Sequence, residues 1–136
     1  MSDRFLATGA TGQDVYEYAL LRVVPRIERG ECFNAGVLVY SRSRAVVAAR
    51  THLDETKLLA LDPEADVAGV RAALRAVEGV CAGGEAAGQA AGDDAGRRFR
   101  WLVAPRSTVV QAGPVHTGLT SDPVAEAARL LDLLVR

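Results

Sequence analysis

The segment Tyr16 to Tyr40, YEYALLRVVPRIERGECFNAGVLVY, constrains the fold more than any other part of the chain. Its first half has period two. Tyr16, Tyr18, Leu20, Arg22 and Val24 fall on one face of an extended strand and Glu17, Ala19, Leu21 and Val23 on the other, because successive strand side chains point to opposite sides. Pro25 ends that strand, since it has no N–H to give to a ladder. Phe33, Ala35, Val37 and Val39 then alternate with Asn34, Gly36, Leu38 and Tyr40, and Ser41 to Arg44 separate this run from a third, β-branched one at Ala45 to Arg50. The order reads as an antiparallel meander whose first hairpin has a polar mouth of charged and amide groups.

Helical signals follow. Asp54 to Leu61 reads as a short helix, and Asp62-Pro63-Glu64 offers a cap, a first-turn proline and an acid to start a second one. Val67, Val70, Leu74 and Val77 recur at three- and four-residue spacing as its apolar stripe. Gly69 within it costs about 0.5–1 kcal/mol relative to alanine, which packing on the sheet is expected to offset. Phe99 to Val103 and Thr108 to Ala112 read as further strands, with Phe99 and Trp101 inward and Arg98 and Arg100 outward. A last helix begins at Asp122-Pro123, with Val124, Ala128, Leu131 and Val135 as its buried stripe.

A chain of 136 residues that is 49% hydrophobic fits one domain. Residues 1–14, small and polar without periodicity, are expected as a flexible tail, and 15–136 as a single α+β domain. Within Cys81 to Gly96, a Gly/Ala-rich run, residues 82–96 are expected as a mobile loop. The part that follows is too short for its own core and must share one with the first part. The expected architecture is an antiparallel sheet of about four to five strands with the Asp62 and C-terminal helices packed on one face.

Charge and cysteine usage narrow the function classes. A formal charge of -1 gives no global attraction to nucleic acid or anionic lipid. Lys57 is the only lysine, so positive charge sits on guanidiniums suited to bidentate contact with carboxylate or phosphate, a bias that high genomic GC content also produces. Cys32 and Cys81 show no CxxC spacing, which points to a reduced, cytoplasmic setting. No apolar run reaches the roughly 20 residues of a membrane span, and the first residues lack the features of a secretion signal. His52, Asp54, His116, Cys32 and Cys81 have no paired ligand spacing, so no metal and no cofactor are expected. Arg97-Arg98-Phe99-Arg100-Trp101 interleaves cations with aromatics as single-stranded nucleic-acid binders do, but an amphipathic strand explains it more simply and nucleic acid ranks last. GATG at Gly9 to Gly12 does not follow a strand and is no phosphate loop.

Two clusters remain. Arg22, Arg26, Glu28, Arg29, Glu31 and Asn34 surround the first hairpin connection. They read either as an anion clamp with a carboxylate base and an orienting amide, or as a solvated turn with mutual ion pairs. Arg22 keeps the first reading alive. It shares a strand face with Tyr16, Tyr18 and Leu20, where a charge must pair or line a cleft. The second cluster, Ala104 to Pro123, carries Arg106, Ser107 and His116 among prolines, glycines and hydroxyls, a composition that functional loops often have. Ser107, His116 and Asp122 lack the strand-turn-helix elbow of a nucleophile, and Asp122 is better explained as a helix cap. His116 stays open between a hydrogen-bonding role and a structural one. The site expectation is one polar cleft in which Arg22, Glu28, Arg29 and Asn34 meet Arg106, Ser107 and His116 around an anionic ligand or a peptide. No residue is assigned as catalytic. The enzyme alternative places a Glu28 or His116 base beside an Arg22 or Arg106 clamp, on a phosphate-bearing or peptide substrate.

ERGExxNxGV at Glu28 to Val37, ARTHLDETKLLALDP in the middle and APRSTVVQ at Ala104 to Gln111 resemble an uncharacterised bacterial family, the domain of unknown function numbered 3037. The resemblance covers most of Tyr16 to Arg136, with the Gly/Ala loop as its variable part. It implies a setting beside HipA-like kinase genes, hence an accessory role with a kinase-like protein partner, and it transfers no catalytic residue.

Overall fold

The alternation at the start of the chain becomes β1 (Asp14–Val23), the strand around which the sheet is built. The computed structural model describes residues 12–84, 88 and 92–136. After β1 come β2 (Phe33–Ser41), β3 (Val46–Thr51), α1 (Glu55–Leu61), α2 (Val67–Ala82), α3 (Ala95–Val103), β4 (Val110–Ala112), β5 (His116–Thr120) and α4 (Pro123–Leu134). Asp14 belongs to the strand rather than to the expected tail. Its carboxylate is buried and paired with Arg44. Residues 1–11 lie outside the described residues, as do 85–87 and 89–91 of the expected mobile loop 82–96; of its described ends, Ala82 closes α2 and Ala95 and Gly96 open α3.

The sheet is antiparallel with the order β3-β2-β1, and both β4 and β5 lie along the far edge of β1. β4 pairs with Leu21 to Val23 and β5 with Asp14 to Tyr18. They are one edge strand interrupted by a bulge. Gly113, Pro114 and Val115 stand opposite Ala19 and Leu20, and the Gly113 N–H donates to the Leu20 carbonyl at 2.8 Å. Pro114 is tolerated there because an edge bulge needs no ladder N–H. β5 is a strand where an irregular loop was expected. Gly118, which hid it, is required because a Cβ at that position would lie 2.7 Å from the Tyr16 ring.

The two main helices lie on opposite faces, which corrects the one-face arrangement. Leu21, Val23, Leu38 and Val47 pack under α1, α2 and α3, around Leu58, Leu74 and Phe99. Tyr16, Val37 and Val39 pack under α4, against Ala127, Leu130 and Leu131. The cause is in the strands. Both alternating sets of β1 and β2 are apolar, and a sheet apolar on both sides needs a cover on each.

Helix boundaries also differ from expectation. Asp62 closes α1, its N–H bonding the Leu58 carbonyl, and Asp62 to Ala65 form a turn. Asp66 is the cap of α2, accepting from the Gly69 N–H at 2.9 Å. A side chain at Gly69 would collide with that carboxylate, so cap fit, more than packing on the sheet, explains the glycine. Val70 and Leu74 are buried as expected, joined by Val80 and Cys81.

Phe99 to Val103 is helical, not extended. Asp94 caps α3 by accepting from the Arg97 N–H at 2.8 Å, and Ala95, Phe99 and Leu102 form a buried stripe at helical spacing. Phe99 is fully buried while Trp101, two positions on, is 52% exposed. In α4 Asp122 accepts from the Val124 and Ala125 N–H groups, as the cap reading requires. The buried set of α4 is Pro123, Ala127, Leu130 and Leu131, leaving Val124 exposed.

Candidate functional site

Arg22 occupies a strand interior on the face covered by α4, opposite Asn34 on β2 and Gln111 on β4. Its guanidinium lies against Gly113. A Cβ there would be 2.9 Å from Arg22 Cζ, so the bulge glycine makes room for the cation. Arg22 makes no ion pair among the described residues, and it lines a cavity of about 380 Å³ at the interrupted edge with Pro105, Arg106, Gln111, Gly113 and Pro114.

Arg106 enters from the segment after α3. Its Nη2 donates to the Trp101 carbonyl at the end of that helix, and its guanidinium stacks 4.7 Å from the Trp101 ring centroid. Arg106 also lines a second cavity, of about 280 Å³, whose other walls include Val77, Val80, Trp101, Leu102 and Val109. One arginine thus borders both a cationic cavity and an apolar groove.

The seven residues expected in one cleft do not gather there. Arg22 and Arg106 share the cavity; the other five are placed elsewhere. Glu28 and Arg29 sit in the exposed turn, where Arg26 approaches Glu28 at 3.7 Å and Arg29 bonds Glu31 at 2.7 Å. The hydrogen bond from Arg29 holds the Glu31 carboxyl below its ordinary value. This is the solvated turn with mutual ion pairs. Asn34 donates to the Leu134 carbonyl at 3.2 Å and so ties β2 to the end of α4. Ser107 is exposed beside Arg106 and absent from the cavity wall. His116 is exposed on β5, its ring 5.2 Å from that of Tyr18.

The cation-aromatic run is internally engaged. Arg98 donates to the Val80 and Cys81 carbonyls at 2.9 and 2.6 Å, closing the end of α2. Arg100 forks onto Glu17 at 2.7 and 3.0 Å. On the other face, the Tyr16 hydroxyl donates to Glu126 Oε2 at 2.5 Å, and Arg129 donates to both oxygens of the same carboxylate. Burial and the bond to Glu126 push Tyr16 above its ordinary range, and the bond from Arg129 holds Glu126 below its own. Sequence reasoning missed Trp101, Gln111 and Gly113 as wall residues. A Gly-Pro pair after a short strand was the signal for the bulge.

Among the described residues no helix is long and apolar enough to cross a membrane, and no three of His, Cys, Asp and Glu converge to hold a metal ion. The fold and the cavity define an α+β domain, an antiparallel sheet covered by helices on both faces with two arginines at its interrupted edge. The chain belongs to the DUF3037 family, described as a protein of unknown function, whose model matches residues 18–135 and so includes both arginines. No curated protein and no solved structure gives a match.

Proposed function

We propose that this protein is a small binding or accessory module that holds an anionic group of a peptide or partner protein between Arg22 and Arg106. One observation carries the reading. Two guanidiniums line the same cavity, and no carboxylate is among its lining residues. A half-buried positive charge without a counter-ion is costly, and a bound anion with charge-assisted hydrogen bonds removes that cost. The cavity wall also holds no histidine, acid, serine or cysteine. A clamp without a neighbouring base or nucleophile favours binding over turnover. A cytoplasmic setting and a kinase-like partner belong to the same reading, the first supported by the free cysteines and the second by the family resemblance.

The test is titration with inorganic phosphate and with acetate, followed by calorimetry, for the wild type, Arg22→Met and Arg106→Met. Two charge-assisted contacts correspond to a dissociation constant of about 1 mM. Saturable binding lost in either variant is expected; equal binding in the Arg22→Met/Arg106→Met double variant would overturn the proposal. Retention of a kinase-like partner by the double variant in co-purification would remove the partner role from this site.

A further inference from the structure

The position of Arg106 specifies more than an anion. Arg106 lines both the cavity that holds Arg22 and the apolar groove between α2, α3 and β4. That groove is walled by Val77, Val80, Leu102, Val109 and Trp101, and its lining contains no acid. The two spaces are therefore adjacent, one apolar and one cationic, and neither is neutralised from within. Trp101 is held at the junction by its stack with Arg106 and stays 52% exposed, although helical spacing lets Phe99 and Leu102 bury fully or nearly so. An exposed indole beside a guanidinium that bonds backbone carbonyls and no carboxylate is the composition that interface anchors favour.

We infer that the ligand is an extended peptide in which an aliphatic or aromatic side chain lies one or two residues from a carboxylate, the side chain entering the groove and the carboxylate meeting Arg106 and Arg22. The inference rests on the anion-binding reading and adds its apolar half. The spacing follows from the shared wall. One or two residues of extended chain span about 3.5–7 Å, the reach from one side of a guanidinium to the other. Strand addition to the edge is not the mode. β4 is only three residues long, the Val110 carbonyl already accepts from the Thr108 hydroxyl at 2.8 Å, and Pro114 interrupts the edge.

Trp101 is the single tryptophan of the chain, so its fluorescence reports on the junction directly. The probes are acetyl-Gly-Leu-Asp-Gly-amide, the same peptide with Gly for Leu, and the same peptide with Asn for Asp, alongside inorganic phosphate. The Leu-Asp peptide is expected to bind at least tenfold more tightly than the Gly-Asp and Leu-Asn peptides. Ala76→Phe, an exposed substitution that fills the groove, should abolish the gain from leucine and leave phosphate binding unchanged. Equal affinity of the Leu-Asp and Gly-Asp peptides, with phosphate still bound, would overturn the apolar half alone. Equal affinity of Leu-Asp and Leu-Asn peptides would overturn the charged half. Absence of any anion binding would overturn this inference together with the function it rests on.

Discussion

Removing Glu126 should destabilise the protein markedly, because its largely buried carboxylate is, among the described residues, the hydrogen-bond acceptor of a buried phenol. Tyr16 is 4% exposed and donates to Glu126 Oε2 at 2.5 Å, joining β1 to α4 across the second core. In Glu126→Ala the hydroxyl keeps its burial and loses its acceptor, a loss of about 1–3 kcal/mol. Tyr16→Phe deletes the same bond but leaves Glu126 with Arg129, so its cost is smaller, about 1–1.5 kcal/mol. The double variant should fall short of the sum by about 1 kcal/mol, the coupling expected of groups in direct contact. Urea unfolding of the four proteins at pH 7 measures each corner of the cycle. The acid limb supplies a second reading. Glu126 is held below its ordinary value, first by the bond from Arg129. Its contribution is therefore present above the unfolded-state value of about 4.3 and is lost as pH falls through the lower folded value. Glu126→Ala should lack that share of acid sensitivity. Additivity within about 0.3 kcal/mol, or a neutral Tyr16→Phe, would refute the coupling of β1 to α4 through this bond.

Other outcomes follow from the helices. Phe99→Ala should cost about 3–5 kcal/mol and Trp101→Ala under about 1 kcal/mol in the same urea assay, since α3 buries the first and exposes the second. Equal costs would indicate an inward-facing pair. Burial pushes the Cys81 thiol up to about 12, so its neutral form is favoured in the fold. Stability should be full below the unfolded thiol value of about 8.5 and decline by up to about 1.4 kcal/mol per pH unit above it. Cys81→Ala should flatten that alkaline limb in unfolding curves taken between pH 7 and 10. Asp122→Ala removes the acceptor of two N–H groups at the start of α4 and should cost about 1 kcal/mol, measured as a shift in the urea midpoint. An unmoved midpoint would show that water replaces the cap at no loss.

The meander was legible because period-two alternation runs through Tyr16 to Val23 and again through Phe33 to Tyr40, with a polar turn between them. What went unread is the cover. The same residues that announce β1 and β2 are apolar on both faces, which already demands helices on two sides. The α3 error has a definite source. Phe99, Trp101 and Val103 satisfy period two as well as Ala95, Phe99 and Leu102 satisfy the helical period, and only the cap at Asp94 distinguishes them. β5 was hidden by Pro114 and Gly118, residues chosen for a bulge and for the Tyr16 ring rather than for strand propensity. At the site, Arg22 was readable as a charge stranded on a greasy face. Its meeting with Arg106 depends on the bulge at Gly113, which no periodicity encodes.

Because β2 follows β1 closely in sequence while β5 comes much later, assembly is expected to carry a built-in delay. Closing the loop from Tyr16 to Glu126, 110 residues apart, costs about 2 kcal/mol more than closing the hairpin between Val23 and Phe33. The meander and its first three helices can therefore form while the second face still waits for α4. Substitutions along the Tyr16–Glu126 connection should accelerate unfolding and leave the refolding rate nearly unchanged, the kinetic mark of contacts made after the barrier is crossed.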